Sequence, residues 1–140
     1  MEGGNIMPYT WNANLESGNA RVDAQHKSLI SLVNDYEQAL IKGANPSELI
    51  KALEFLVAYT VEHFSDEEQL QIENNYPDFN VHKKIHDEFK RQAVEMLNEY
   101  REQGFSDDFA RDILIVVSEW LINHIKGMDL AMVAYINRKI

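Results

Sequence analysis

The chain has 140 residues, 45% of them hydrophobic and 26% charged, enough for one globular domain with a real core. It contains no cysteine, which excludes disulfide frameworks, thiolate zinc sites, iron–sulfur clusters and cysteine nucleophiles. With 23 acidic against 13 basic residues the formal charge is −10, so nucleic acid and anionic membrane surfaces repel it. The longest uninterrupted apolar run, Ile113 to Val117, is far too short for membrane insertion, and the N-terminus lacks signal-peptide features, so the expected location is cytoplasmic.

Punctuation predicts an N-terminal arm and four helices, an all-α up-down-up-down bundle with a short C-terminal helical segment. The arm, residues 1–18, contains Gly3, Gly4, Pro8 and Gly18, with Tyr9 and Trp11 expected to anchor it across the helices. The first helix is predicted from near Asn19 to Lys42, with Leu29, Ile30, Val33, Tyr36 and Leu40 at helical spacing before Gly43. Asn45-Pro46 starts the second, whose stripe runs from Leu49 through His63 and Glu67 to Leu70, with Pro77 marking the break. The third begins near Asn80 and carries His82, His86, Phe89 and Leu97. The fourth, capped by Ser106, carries Ile113, Val117, Trp120, Leu121 and His124. Residues 19–140 form the bundle of a single domain spanning 1–140.

The histidines carry the chemistry. His63 precedes Glu67 by four residues and His82 precedes His86 by four, so each pair projects two ligand-type side chains from one helix face. His26 stands alone, and His124 precedes Asp129 by five. Any one such pair could be a solvated contact worth a few tenths of a kcal/mol. All of them, however, lie on apolar stripes, and burying so many imidazoles and carboxylates without a cation leaves groups unsatisfied at about 1 to 3 kcal/mol each. Five imidazoles with two carboxylates suit two first-row transition metals, best read as iron, with zinc and manganese open on affinity grounds. Glu62, Asp66, Glu68, Asp87 and Glu88 fall off the stripes and read as a solvated face.

Four stretches resemble the hemerythrin family, in particular its bacterial single-domain members. They are Val22-Asp23-Ala24-Gln25-His26, His63-Phe64-Ser65-Asp66-Glu67-Glu68, Tyr76-Pro77 with His82 and His86, and Trp120-Leu121-Ile122-Asn123-His124-Ile125 with Asp129. The similarity runs from Tyr9 to the end. Met7-Pro8-Tyr9-Thr10-Trp11-Asn12 also resembles the start of bacterial members, which makes Met1 to Ile6 an extension without assigned function.

The resemblance implies two iron ions joined by an oxo or hydroxo bridge, with His82, His86 and His124 on one, His26 and His63 on the other, and Glu67 and Asp129 bridging. It further implies that the two-histidine iron keeps one position open for dioxygen. An apolar pocket of Leu29, Phe64, Trp120, Leu121 and Ile125 is expected around that position, excluding water and protons.

The expected function is reversible oxygen binding for transport, storage or delivery, without catalysis. The alternatives are an oxygen or redox sensor acting through a separate partner protein, or a di-iron oxidase, peroxidase or nitric-oxide-handling enzyme. Ligand chemistry disfavours the enzyme, since ferritin-like di-iron sites use several glutamates with Glu-x-x-His pairs. Five residues turn an ideal helix by about 500°, which takes Asp129 off the face of His124 unless a widened turn, expected at Gly127, swings it back.

Overall fold

A computed structural model describes residues 10–104 and 106–138. Tyr9, with residues 1–8, therefore lies outside the described residues. The helices are α1 (Ala20–Ile41), α2 (Pro46–Glu73), α3 (Phe79–Gln103), α4 (Asp107–His124) and α5 (Leu130–Arg138). A 3-10 turn at Ala13–Leu15 precedes them, and a π-helical turn, Ile125–Asp129, joins α4 to α5.

Local chemistry accounts for the helix ends. The Asn19 side chain accepts from Val22 N at 3.0 Å, and Ser106 Oγ accepts from Phe109 N at 3.3 Å. At α2, Asn45 and Glu48 satisfy each other's backbone N–H groups in a capping box, and Pro46 follows at the first helical position. Gly43 and Gly104 close α1 and α3 at φ of 76° and 82°. Helix α2 ends at Glu73, before the expected break at Pro77, because Asn75 turns the chain left-handed at φ 52°.

Helix α1 packs on α2 and α4, and α2 packs on α3. The main core runs from Leu15 to Ile125, and Trp11 packs against it with Lys27 Nζ 5.2 Å above its ring. A smaller core joins Val22 of α1 to Met132, Val133 and Ile136 of α5. The histidine layer falls between the two, so α5 closes the end of the bundle over it.

The π-turn solves the spacing problem of Asp129. Leu130 N–H donates to the Ile125 carbonyl five residues back, widening the helix so that a residue five beyond His124 returns to its face. Glycine is not what permits this. Gly127 does not adopt positive φ, and a Cβ there would meet nothing within 4 Å. Gly127→Ala should accordingly raise stability by about 0.5 to 1 kcal/mol with iron content unchanged, as read from thermal unfolding and metal analysis. Loss of iron in this variant would mean that the turn does need glycine.

Candidate metal centre

His26 comes from α1, His63 and Glu67 from α2, His82 and His86 from α3, His124 from the last turn of α4 and Asp129 from the π-turn. All seven are buried, none more than 6% exposed. Their ligand atoms form two sets, each within 4.8 Å. One comprises Glu67, His82, His86, His124 and Asp129, and the other His26, His63, Glu67 and Asp129.

Each carboxylate spans both sets. Glu67 Oε2 lies 2.9 Å from His63 Nε2 and 3.1 Å from His26 Nε2, while its Oε1 lies 3.5 Å from His86 Nε2. Asp129 Oδ2 lies 3.0 Å from His26 Nε2, and its Oδ1 lies 3.0 Å from His82 Nε2 and 3.2 Å from His124 Nε2. One oxygen thus faces each group of histidines.

These contacts fit cations better than protons. His124 Nε2 is 3.1 Å from His82 Nε2 and 3.0 Å from His86 Nε2. Three ring nitrogens at such distances cannot all find protons to share, and neutral imidazoles would face each other lone pair to lone pair. His63 Nε2, Glu67 Oε1 and Asp129 Oδ1 are buried with no hydrogen-bond partner. A cation in each set would satisfy all of these atoms, and the mixture of imidazole and carboxylate suits iron.

Without a cation the electrostatics remain strained. Burial pulls the His26 pKa down, but hydrogen bonds to Asp129 and Glu67 and their charges outweigh it and lift the value to about 9. Burial and the Asp129 charge push Glu67 upward, yet His63 and His26 bring it to about 2. Burial likewise raises Asp129, but the His124, His26 and His82 imidazoles that face its two oxygens carry it well below the usual carboxylate range. His124 is lowered by burial and by the nearby His86 and His82, against the pull of Asp129. Both carboxylates are therefore anionic and ready to ligate.

Three of the rings are anchored at Nδ1, leaving Nε2 to point inward. His86 Nδ1 donates to Glu68 Oε2 at 2.9 Å, and His63 Nδ1 donates to Gln25 Oε1 at 2.6 Å. Gln25 Nε2 donates in turn to Asp66 Oδ2 at 2.6 Å, which also accepts from Arg21 at 3.0 Å. Gln71 Nε2 lies 3.0 Å from His82 Nδ1, with Gln71 Oε1 left without a partner, and a ligating His82 needs the amide turned over so that its oxygen takes that position. His26 Nδ1 has no hydrogen-bond partner.

This corrects the reading of Asp66 and Glu68 as a solvated face. Glu68 has only 14% of its side chain exposed, and both carboxylates hold groups that orient ligands. The reading stands for Glu62, Asp87 and Glu88, which are exposed, with Asp87 paired to Lys83 and Lys90 and Glu88 to Arg91. Gln25, Gln71 and Arg21 were not anticipated. A signal did exist for Gln71, which lies four residues beyond Glu67 on the same helix face.

Leu29, Phe64, Leu121 and Ile125 are all buried in the main core, and Trp120 is half-buried against it. Phe64 stacks on His86 at 3.8 Å, nearly parallel, and Trp120 stacks on His124 at 4.5 Å. These two aromatics thus brace the three-histidine set.

A helical bundle whose core holds two adjoining ligand sets with both carboxylates in common is a dinuclear metal-binding architecture. Residues 17–136 match the family model described as "Hemerythrin HHE cation binding domain", and the chain belongs to the hemerythrin family. It is 31% identical over 122 residues to a myohemerythrin of Theromyzon tessulatum, covering 87% of this chain and 88% of that protein. A bacteriohemerythrin of Pseudomonas aeruginosa is 32% identical over 120 residues, covering 85% of this chain and 75% of the relative. A crystal structure of wild-type hemerythrin superposes with a TM-score of 0.78 at 29% identity, covering 89% of this chain and 95% of that one.

Proposed function

We propose that this chain carries dioxygen, binding it reversibly at a non-heme di-iron centre held by His26, His63, Glu67, His82, His86, His124 and Asp129. Family membership supports the iron pair and the oxygen binding. The observation that carries the reading is the inequality of the two sets, five residues in one and four in the other. With one bridging oxygen added, the five residues of the larger set would fill six positions on its iron, and the four of the smaller would leave one free for a ligand.

The iron pair, when bound, supplies the two electrons that hold dioxygen and takes them back on release. Everything else falls to the side chains. Glu68 and Gln25 hold His86 and His63 in the tautomer that presents Nε2, and Phe64 and Trp120 fix the planes of two rings by stacking. Leu29, Leu121 and Ile125 belong to the dry core beside the layer and supply neither protons nor room for water. Such surroundings favour release of the ligand unchanged over its reduction, which supports a carrier without enzymatic turnover.

Anaerobic loading with Fe(II), followed by repeated admission and removal of oxygen under a visible spectrometer, tests this reading. A charge-transfer band that rises and falls over many cycles is the expected result. Steady oxygen consumption with an electron donor present would replace the carrier with a di-iron oxidase or peroxidase.

A further inference from the structure

A cleft of about 150 Å³, lined by charged and amide groups together with Val22 and Leu70, opens between α1 and α2 and reaches Glu67 of the metal layer. Its lining includes Arg21, Gln25, Asp66, Glu67, Gln69 and Glu73. Side-chain exposure falls along it from 76% at Arg21 to 35% at Asp66 and 1% at Glu67. The mouth is thus formed by flexible surface groups and the inner end by a carboxylate shared between both ligand sets. Beyond it, Glu67 Oε1 turns to His86 at 3.5 Å and has no hydrogen-bond partner.

We propose that this cleft is the port through which hydrated divalent iron enters and leaves the centre. The inference rests on the di-iron reading and adds a route to it. Three carboxylates against one guanidinium line the walls, so the cleft attracts cations and repels anions. Its volume is several times the roughly 10 to 15 Å³ that one water needs, room for an ion that keeps part of its hydration shell.

A hard cation gives up water most easily when oxygen donors replace it one at a time, and the cleft provides them in sequence. Glu73 stands at the rim, where it accepts from Gln69 Nε2 at 3.2 Å. Asp66 follows, its Oδ2 accepting from Gln25 Nε2 at 2.6 Å and from Arg21 at 3.0 Å. Glu67 then passes the ion to His63 and His26, which share its Oε2. Among the described residues, the core below the layer and the α5 core above it are built of buried apolar side chains.

The test uses the iron-loaded protein under anaerobic, reducing conditions. Isotopically labelled Fe(II) is added, and exchange into the protein is followed by native mass spectrometry. Gln69→Trp plugs the mouth and Glu73→Lys reverses its charge, and neither residue belongs to either ligand set. Each should slow exchange about tenfold while iron per chain and the visible spectrum stay as in wild type. Added salt should slow wild-type exchange and leave Glu73→Lys almost unaffected. Val94→Trp, on the exposed surface of α3, should exchange at the wild-type rate. Exchange at the wild-type rate in both cleft variants, or equal slowing by Val94→Trp, would overturn the port. A wild-type protein that holds no iron at all would instead overturn the di-iron reading on which it rests.

Discussion

Glu67→Ala should empty both metal positions, not one. Its two carboxylate oxygens divide between the sets, Oε2 facing His26 and His63 and Oε1 facing His86, so a single truncation removes a donor from each. The larger set falls from five residues to four and the smaller from four to three, and half of the negative charge facing the cations goes with them. Loss of a group that merely orients a ligand typically weakens metal retention about 10- to 100-fold. Removing a shared ligand should exceed that range, and Glu68→Gln, which alters only the partner of His86, should fall within it. Iron per chain after dialysis against a graded chelator distinguishes the two. Retention of two irons by Glu67→Ala would show that the carboxylate does not serve both sets.

The second large effect concerns the dry side of the site. Ile125 is fully buried one residue after His124, and Leu121 lies three residues before it, 2% exposed. In the proposed pocket, Ile125→Glu places a proton source beside the oxygen position. Loss of the oxygenated form to the oxidised, oxygen-inert state should rise about 100-fold, the low end of what a positioned acid contributes. Leu121→Ala should act in the same direction more weakly by admitting water. It should also cost about 3 kcal/mol of stability from the cavity it leaves, so the comparison belongs well below its unfolding temperature. Iron content should hold in both, because neither side chain is a ligand. Decay of the oxygenated spectrum at the wild-type rate in both variants would remove Leu121 and Ile125 from the pocket.

The helices were legible because their signals are local. Asn19, Asn45 and Ser106 cap where their side chains can reach the next turn, and the apolar spacing needs no knowledge of neighbours. The four-residue pairs His63/Glu67 and His82/His86 were legible for the same reason. Asp129 was only half legible, since helical arithmetic places it off the face and a π-turn restores it without any demand on Gly127. The groups that orient the ligands were not legible. Gln25, Asp66 and Glu68 sit on helix flanks, where a solvated surface and a second layer around a metal look alike until the facing helix is in place. His86 finds Glu68 across the α2–α3 interface, and His63 finds Gln25 across α1–α2.

Mössbauer spectroscopy of the anaerobic diferrous protein, combined with metal analysis, tests the central claim most directly. Two irons per chain in two signals of equal area, only one of them displaced by a small anion such as azide, is the predicted result, because the sets are unequal and the proposed reading leaves a free position on one alone. One iron per chain, or a single signal from two equivalent irons, would contradict it.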